Sequence, residues 1–131
     1  MIKQFTFGKE ERLSHKNQID SLFNEGLTFN VSPFKVIYTV DAAATPPELK
    51  ILVAIAKKKF KKAVDRNRVR RLIREAYRLN KHLLLEPLNA SACSLHIGFV
   101  YIGNKADITY MEIEKQMIGC LERMGKIVSG S

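Results

Sequence analysis

The residues best suited to chemistry in this chain are cations, and they crowd into one stretch. Between Lys57 and Lys81 stand twelve Lys and Arg against two acids, Asp65 and Glu75, a net of +10. The remainder holds ten basic and eleven acidic residues, a net of −1, so the excess behind the overall +9 lies in that stretch. Charge that serves only solubility is spread over a surface, whereas charge held in one segment gathers a polyanion at one face. A merely solvated helix face would carry acid partners one turn from its bases. Two acids for twelve bases do not supply them. Arginine dominates the middle of the run, and its planar fork grips two phosphate oxygens and stacks on bases. The chemistry indicated is binding of a nucleic acid through its phosphates. The candidate contacts are Lys57, Lys58, Lys59, Lys61, Lys62, Arg66, Asn67, Arg68, Arg70, Arg71, Arg74 and Arg78.

Chemistry that makes or breaks bonds has no comparable signature. His15, His82 and His96 are far apart, without metal-ligand spacing. Asp20, Asp41, Asp65 and Asp107 fall in different elements, and no paired-acid cluster suggests a two-metal site. Nucleophile elbows, phosphate-binding glycine loops and dinucleotide fingerprints are missing from the sequence. Cys93 and Cys120 lack a CxxC spacing and read as buried thiols of a reducing compartment. No catalytic residue and no metal ligand is assigned. With neither a secretory signal nor a run of about 20 apolar residues, the expected location is the cytoplasm, away from membranes.

The elements that must position the cations follow from periodicity. At 131 residues and 46% hydrophobic, the chain is expected to form one domain over 1–131, with 1–13 and 128–131 as flexible ends. Ser14 is placed to cap a helix from about His15 to Glu25, which Gly26 stops. Thr28 to Val31 reads as a short strand. Phe34 to Val40 is a second, with Phe34, Val36, Tyr38 and Val40 on one face. Leu49 to Ala56 is almost wholly apolar, which predicts a central strand. In the basic segment Val69, Leu72, Ile73, Ala76 and Tyr77 recur at helical spacing, leaving Asn67, Arg70, Arg71, Arg74 and Arg78 to fan across the opposite side. This helix is expected to fray near Leu85, ahead of Pro87. Ser94 to Ile102 is a further strand. Thr109-x-x-Glu112 is a capping box with Ile108 and Ile113 as its hydrophobic staple, opening a helix striped by Ile113, Met117, Cys120, Leu121 and Met124. The expected fold is α+β, a single-sheet sandwich in the order α-β-β-β-α-β-α.

The run Ala63-Val64-Asp65-Arg66-Asn67-Arg68-Val69-Arg70-Arg71-Leu72-Ile73-Arg74-Glu75 resembles the Arg-Asn-Arg signature of the protein component of bacterial ribonuclease P. The likeness extends along nearly the whole chain. Lys9 to Leu13 resembles the family's basic lead-in, Ile19 to Gly26 its first helix, Phe34 to Val40 and Leu49 to Lys59 its central strands, and Leu95 to Met124 its last strand and helix. The resemblance implies a ribonucleoprotein that removes the 5′ leader of precursor tRNA. Its RNA subunit carries the catalysis with bound Mg2+, and the protein alone is inactive. The partners implied are the catalytic RNA and precursor tRNA, with no obligate protein partner. Arg66, Asn67, Arg68, Arg70, Arg71 and Arg74 match the signature, and Ile19, Phe23 and Tyr38 match positions lining a leader cleft between first helix and sheet. A left-handed βαβ crossover through the signature helix is implied as well, where general rules favour the right-handed form. Ile19 stands where an aromatic is common, and Gly103-Asn104-Lys105 is less basic than the family's usual segment there.

On residue type alone, Phe23 and Tyr38 read as core side chains. The resemblance makes Tyr38, whose hydroxyl suits a wet groove, a platform for unpaired bases, which stack on aromatic faces with little sequence preference, and leaves Phe23 open between core and platform. Phe60 is expected to pack under the basic helix, and Asp65 to act as a helix-start acid. The alternative to a ribonuclease P protein is a general RNA-binding or ribosome-associated module. A helix-turn-helix DNA reader fits poorly, because a strand and not a short helix precedes the basic helix.

Overall fold

A computed structural model of the chain describes residues 11–41, 48–56, 60–91 and 93–130. Its centre is a four-stranded sheet of β1 (Leu27–Val31), β2 (Phe34–Asp41), β3 (Leu49–Ile55) and β4 (Ser94–Tyr101), ordered β1-β2-β4-β3. The β1–β2 and β2–β4 pairs are antiparallel, and β3 runs parallel to β4. The register sets Val36 beside Phe99, and Tyr38 beside Ile97, which in turn pairs with Ile51. Because side chains alternate across a sheet, these residues share one face with Phe34 and Tyr101. Ile37, Leu52, Gly98 and Val100 occupy the other.

The first face carries most of the core. Helices α2 (Ala63–Asn80), α3 (His82–Ser91) and α4 (Tyr110–Val128) bury Val69, Ile73, Tyr77, Leu84, Ile113 and Met117 with it. The α4 start is built as its sequence dictates. Thr109 accepts from the Glu112 backbone N–H, the Glu112 carboxylate accepts from the Thr109 N–H, and Ile108 and Ile113 are both buried. The second face is covered by α1 (Lys16–Glu25), where Leu22 meets Leu13 and Ile37 in a small separate cluster. Gly26 ends α1 because nothing larger fits: a Cβ there would lie 2.4 Å from the Leu22 carbonyl oxygen and 2.6 Å from Ile37 Cγ2.

Four sequence expectations change. The cap residue of α1 is His15, not Ser14, and it makes no side-chain cap bond. The basic helix stops at Asn80. Lys81 then accepts from the Leu84 and Leu85 amides and opens α3, so the connection from β3 to β4 holds two helices where one was expected. Pro87 sits inside α3 and not at a helix end; it lacks the N–H that would bond back to Leu83. Finally, β3 lies at the edge of the sheet, and β4, an interior strand beside β2, is the most buried. A strand covered on both faces is apolar throughout whether or not it is central, so composition could not separate the two. The exposed edge of β3 is partly closed by residues 11–13: Arg12 bridges Ile51, and the Leu13 N–H donates to the Ile51 carbonyl at 2.9 Å. Arg12 and Leu13 are thereby docked on the sheet, and α4 continues to Val128.

Candidate nucleic-acid interface

Helix α2 is fixed to the core by Val69, Ile73, Ala76 and Tyr77, with Leu72 half-buried beside them. Phe60 anchors the approach to the helix, buried and stacked on Tyr101 with ring centroids 6.0 Å apart. Asp65 lies in the first turn, where the helix dipole favours an acid. Two signature arginines are partly spent on this architecture. Arg66 donates to the Phe60 carbonyl at 2.8 Å, and Arg68 donates to the Ala106 carbonyl, beyond β4, at 2.7 Å. A guanidinium has five N–H donors, so one internal bond leaves most of the fork for a ligand. Lys61 and Lys62 are exposed ahead of the helix; Lys57, Lys58 and Lys59 lie outside the described residues.

The outward side of α2 forms the wall of an open cleft of about 540 Å³, lined by Asn67, Arg70, Arg71, Arg74, Glu75 and Arg78 and, from the N-terminal segment, Arg12. Arg70 donates to Asn67 Oδ1 at 3.0 Å, which orders the middle of the fan. Glu75 pairs with Arg78; that bond holds the carboxyl below its ordinary range and raises the guanidinium. Arg74 is pushed the other way, its pKa lowered by partial burial and then by the like charges of Arg12 and Arg70. Its Nε is enclosed and has no hydrogen-bond partner among the described residues. Cations held together against their own repulsion gain on meeting an anion, and a phosphate backbone supplies anions at regular intervals. The fan expected from the sequence is thus assembled, with one member the sequence reading did not assign. Arg12 is separated from the helix by more than fifty residues, and only sheet topology brings it there.

The expected leader-cleft residues are not brought together as a group. Ile19 is half-buried against Leu22 and Ile37, and Phe23 is 47% exposed on the same helix. Tyr38, however, lies on the far face of the sheet from α1, packed on Phe29 with centroids 6.0 Å apart. The pleat decides this: Ile37, not Tyr38, points toward α1. What lines the recess between α1 and the sheet, about 410 Å³, is mainly polar: Gln18 and Ser21 from α1, Thr39 and Asp41 from β2, Ser94 and His96 from β4. His96 Nε2 lies 2.8 Å from Glu48 Oε1. Among the described residues, no group of three or more His, Cys, Asp or Glu comes together to hold a metal, and no helix is long and apolar enough to cross a membrane.

Comparison with known proteins decides what this cation-lined helix belongs to. Residues 7–125 match the Ribonuclease P family profile, nearly the full length of the chain. The chain belongs to the ribonuclease P protein family. The ribonuclease P protein component of Porphyromonas gingivalis is 38% identical over all of this chain and 96% of its own length. That of Chlorobium phaeobacteroides is 34% identical over 86% of this chain and 83% of its own. Among solved structures, the ribonuclease P protein of Thermotoga maritima superposes with a TM-score of 0.67 at 19% identity, covering 86% of this chain and 96% of its own. That of Staphylococcus aureus gives 0.68 at 18% identity, over 92% and 99%. At those identities the structures establish a shared fold. The connection of parallel β3 to β4 through α2 is therefore the crossover of the ribonuclease P protein fold.

Proposed function

We propose that this chain acts as the protein subunit of ribonuclease P, binding the catalytic RNA through α2 and the 5′ leader of precursor tRNA beside α1. The observation that carries the reading is the cleft of Arg70, Arg71, Arg74 and Arg78 on a helix bearing the Arg-Asn-Arg run, in a chain of this family. In that role the chain's residues bind and orient, and the RNA subunit with its Mg2+ performs the hydrolysis. Arg66, Asn67 and Arg68 set the helix start while presenting their remaining donors. The outward fan neutralises phosphates that would otherwise repel one another as RNA subunit and substrate approach. The recess between α1 and the sheet suits a single strand, with polar groups of the sheet behind it, and Phe23, half-exposed elsewhere on α1, offers a stacking surface. Tyr38 opens instead on a smaller recess with Glu25 at the end of α1, Leu27, Thr39 and Val40.

The test is reconstitution. Mixed with a ribonuclease P RNA at low magnesium, the protein should accelerate leader removal from precursor tRNA, while RNA-free protein shows none. No stimulation at any magnesium concentration would return the chain to the class of general RNA-binding modules.

A further inference from the structure

Lys81 belongs to the basic segment by sequence and to the interior by structure. Its side chain is fully buried, and its Nζ lies 2.6 Å from Glu11 Oε1, a carboxylate itself only 5% exposed and seventy residues away in the chain. The Arg78–Glu75, His96–Glu48 and Lys105–Glu112 pairs are, by contrast, at least partly solvated. Burying two charges is unfavourable unless they meet in good geometry, and such pairs are often retained for the arrangement they specify. Glu11 is followed directly by Arg12, which bridges Ile51, and by Leu13, whose N–H bonds to the Ile51 carbonyl at 2.9 Å. The pair thus fastens the end of α2 to a segment that also meets the edge of β3 and, through buried Leu13, the α1 cluster. The residue between the two anchors is Arg12, exposed and lining the same cleft as Arg70, Arg71 and Arg74.

We infer that the Glu11–Lys81 pair is a latch that positions Arg12 in the phosphate-binding cleft, making Arg12 a further RNA contact and Lys81 a positioning residue. The pair holds Arg12 beside like charge: its guanidinium and that of Arg70 both disfavour the charged form of Arg74. A buried pair on one side of Arg12 and a buried leucine on the other hold its backbone beside α2. The inference rests on the reading of α2 as the RNA-binding helix. It divides the basic segment into cations that meet RNA and one that does not.

The experiment measures affinity of the full chain for a ribonuclease P RNA as a function of salt, with melting temperature alongside, in Arg12→Ala, Lys81→Met and the two combined. Arg12→Ala should leave the melting temperature near that of the parent and reduce the slope of log affinity against log salt by about one, as loss of one phosphate contact does. Lys81→Met should produce the same reduction, and the combined variant no more than either alone. Additive losses, with the slope falling by about two, would make Lys81 an independent contact and overturn the latch; so would unchanged affinity in Lys81→Met. Should Lys81→Met not fold, Glu11→Gln carries the same expectations. The exchange Glu11→Lys with Lys81→Glu supplies a second criterion. It should recover affinity relative to either single change, and failure to recover overturns the proposal. A charge-reversed Arg70/Arg71/Arg74 variant separates the two levels. If it binds normally, the assignment of α2 fails; if it loses binding while Arg12→Ala does not, only the latch fails.

Discussion

At the scale of single residues, the arginines of α2 divide by what they touch. Arg66 and Arg68 each donate to a backbone carbonyl, so removing either loosens the helix start as well as the binding surface. Arg70, Arg71 and Arg74 point away from the buried stripe, and Arg74 is already under like-charge repulsion. Reversing all three to Glu should therefore abolish tight binding to the RNA subunit while circular dichroism and melting temperature stay close to the parent's. A normal affinity in that variant would move the interface elsewhere. The aromatic pair offers a second contrast. Phe23→Ala removes a half-exposed ring and should weaken binding of leader-bearing precursor tRNA by about 1–3 kcal/mol per stacked base, with little effect on mature tRNA. Tyr38→Ala opens the packing around Phe29 and should instead lower stability by about 1–3 kcal/mol, altering both affinities alike. Comparing both RNAs on both variants checks the division. The family resemblance placed these two rings in one cleft; strand alternation by itself says only which residues share a face. It does not say which face a helix will cover.

At the scale of elements, what was legible follows from local rules. The α4 capping box, the apolar stripe of α2 and the strand at Phe34 to Asp41 are each written in residues within two turns of one another. What was not legible depends on distant partners. The edge position of β3 is settled by β4, the burial of Lys81 by Glu11, and the docking of residues 11–13 by Ile51 and Lys81, each distant in sequence from what it settles. The α1–β1 junction shows such a dependence at a single atom. In Gly26→Ala the added methyl would collide with the Leu22 carbonyl and Ile37. The backbone carbonyl gives less readily than a side-chain tip, so α1 must shift off the sheet. We expect a loss of about 1–3 kcal/mol, as for overpacking elsewhere, together with weaker leader binding and unaltered affinity for the RNA subunit. Thermal denaturation and the two binding assays on one variant would show whether the losses separate in this way.

At the scale of the whole molecule, charge is laid out with a purpose that solubility does not require. The surplus of cations runs along one side of α2, while the recess beside α1 contains Glu25, Asp41 and Glu48. Binding of the RNA subunit should accordingly be steeply salt-dependent. A protein neutralising about 6–10 phosphates of a duplex loses roughly 10³–10⁵ in affinity between 50 and 200 mM salt, with a shallower slope for unpaired strands. A flat salt profile in a filter-binding series would contradict the cleft as the main contact. The two sides of the sheet also differ in depth. Helix α2 is seated in a continuous core that includes β4 and α4, whereas α1 is held by Leu22 against Leu13 and Ile37, with Ile19 beside them. Proteins open in units whose stability follows such burial. Amide protons of α1 should therefore exchange with solvent well before those of β4 and the middle of α4, at a denaturant concentration that leaves the slow set untouched. Equal protection on both sides would refute the difference. If it holds, the molecule has one stiff grip and one compliant grip. On the proposed assignment, the stiff side would hold a lasting RNA partner while the compliant side yields to leaders of differing length and sequence, released after every turnover.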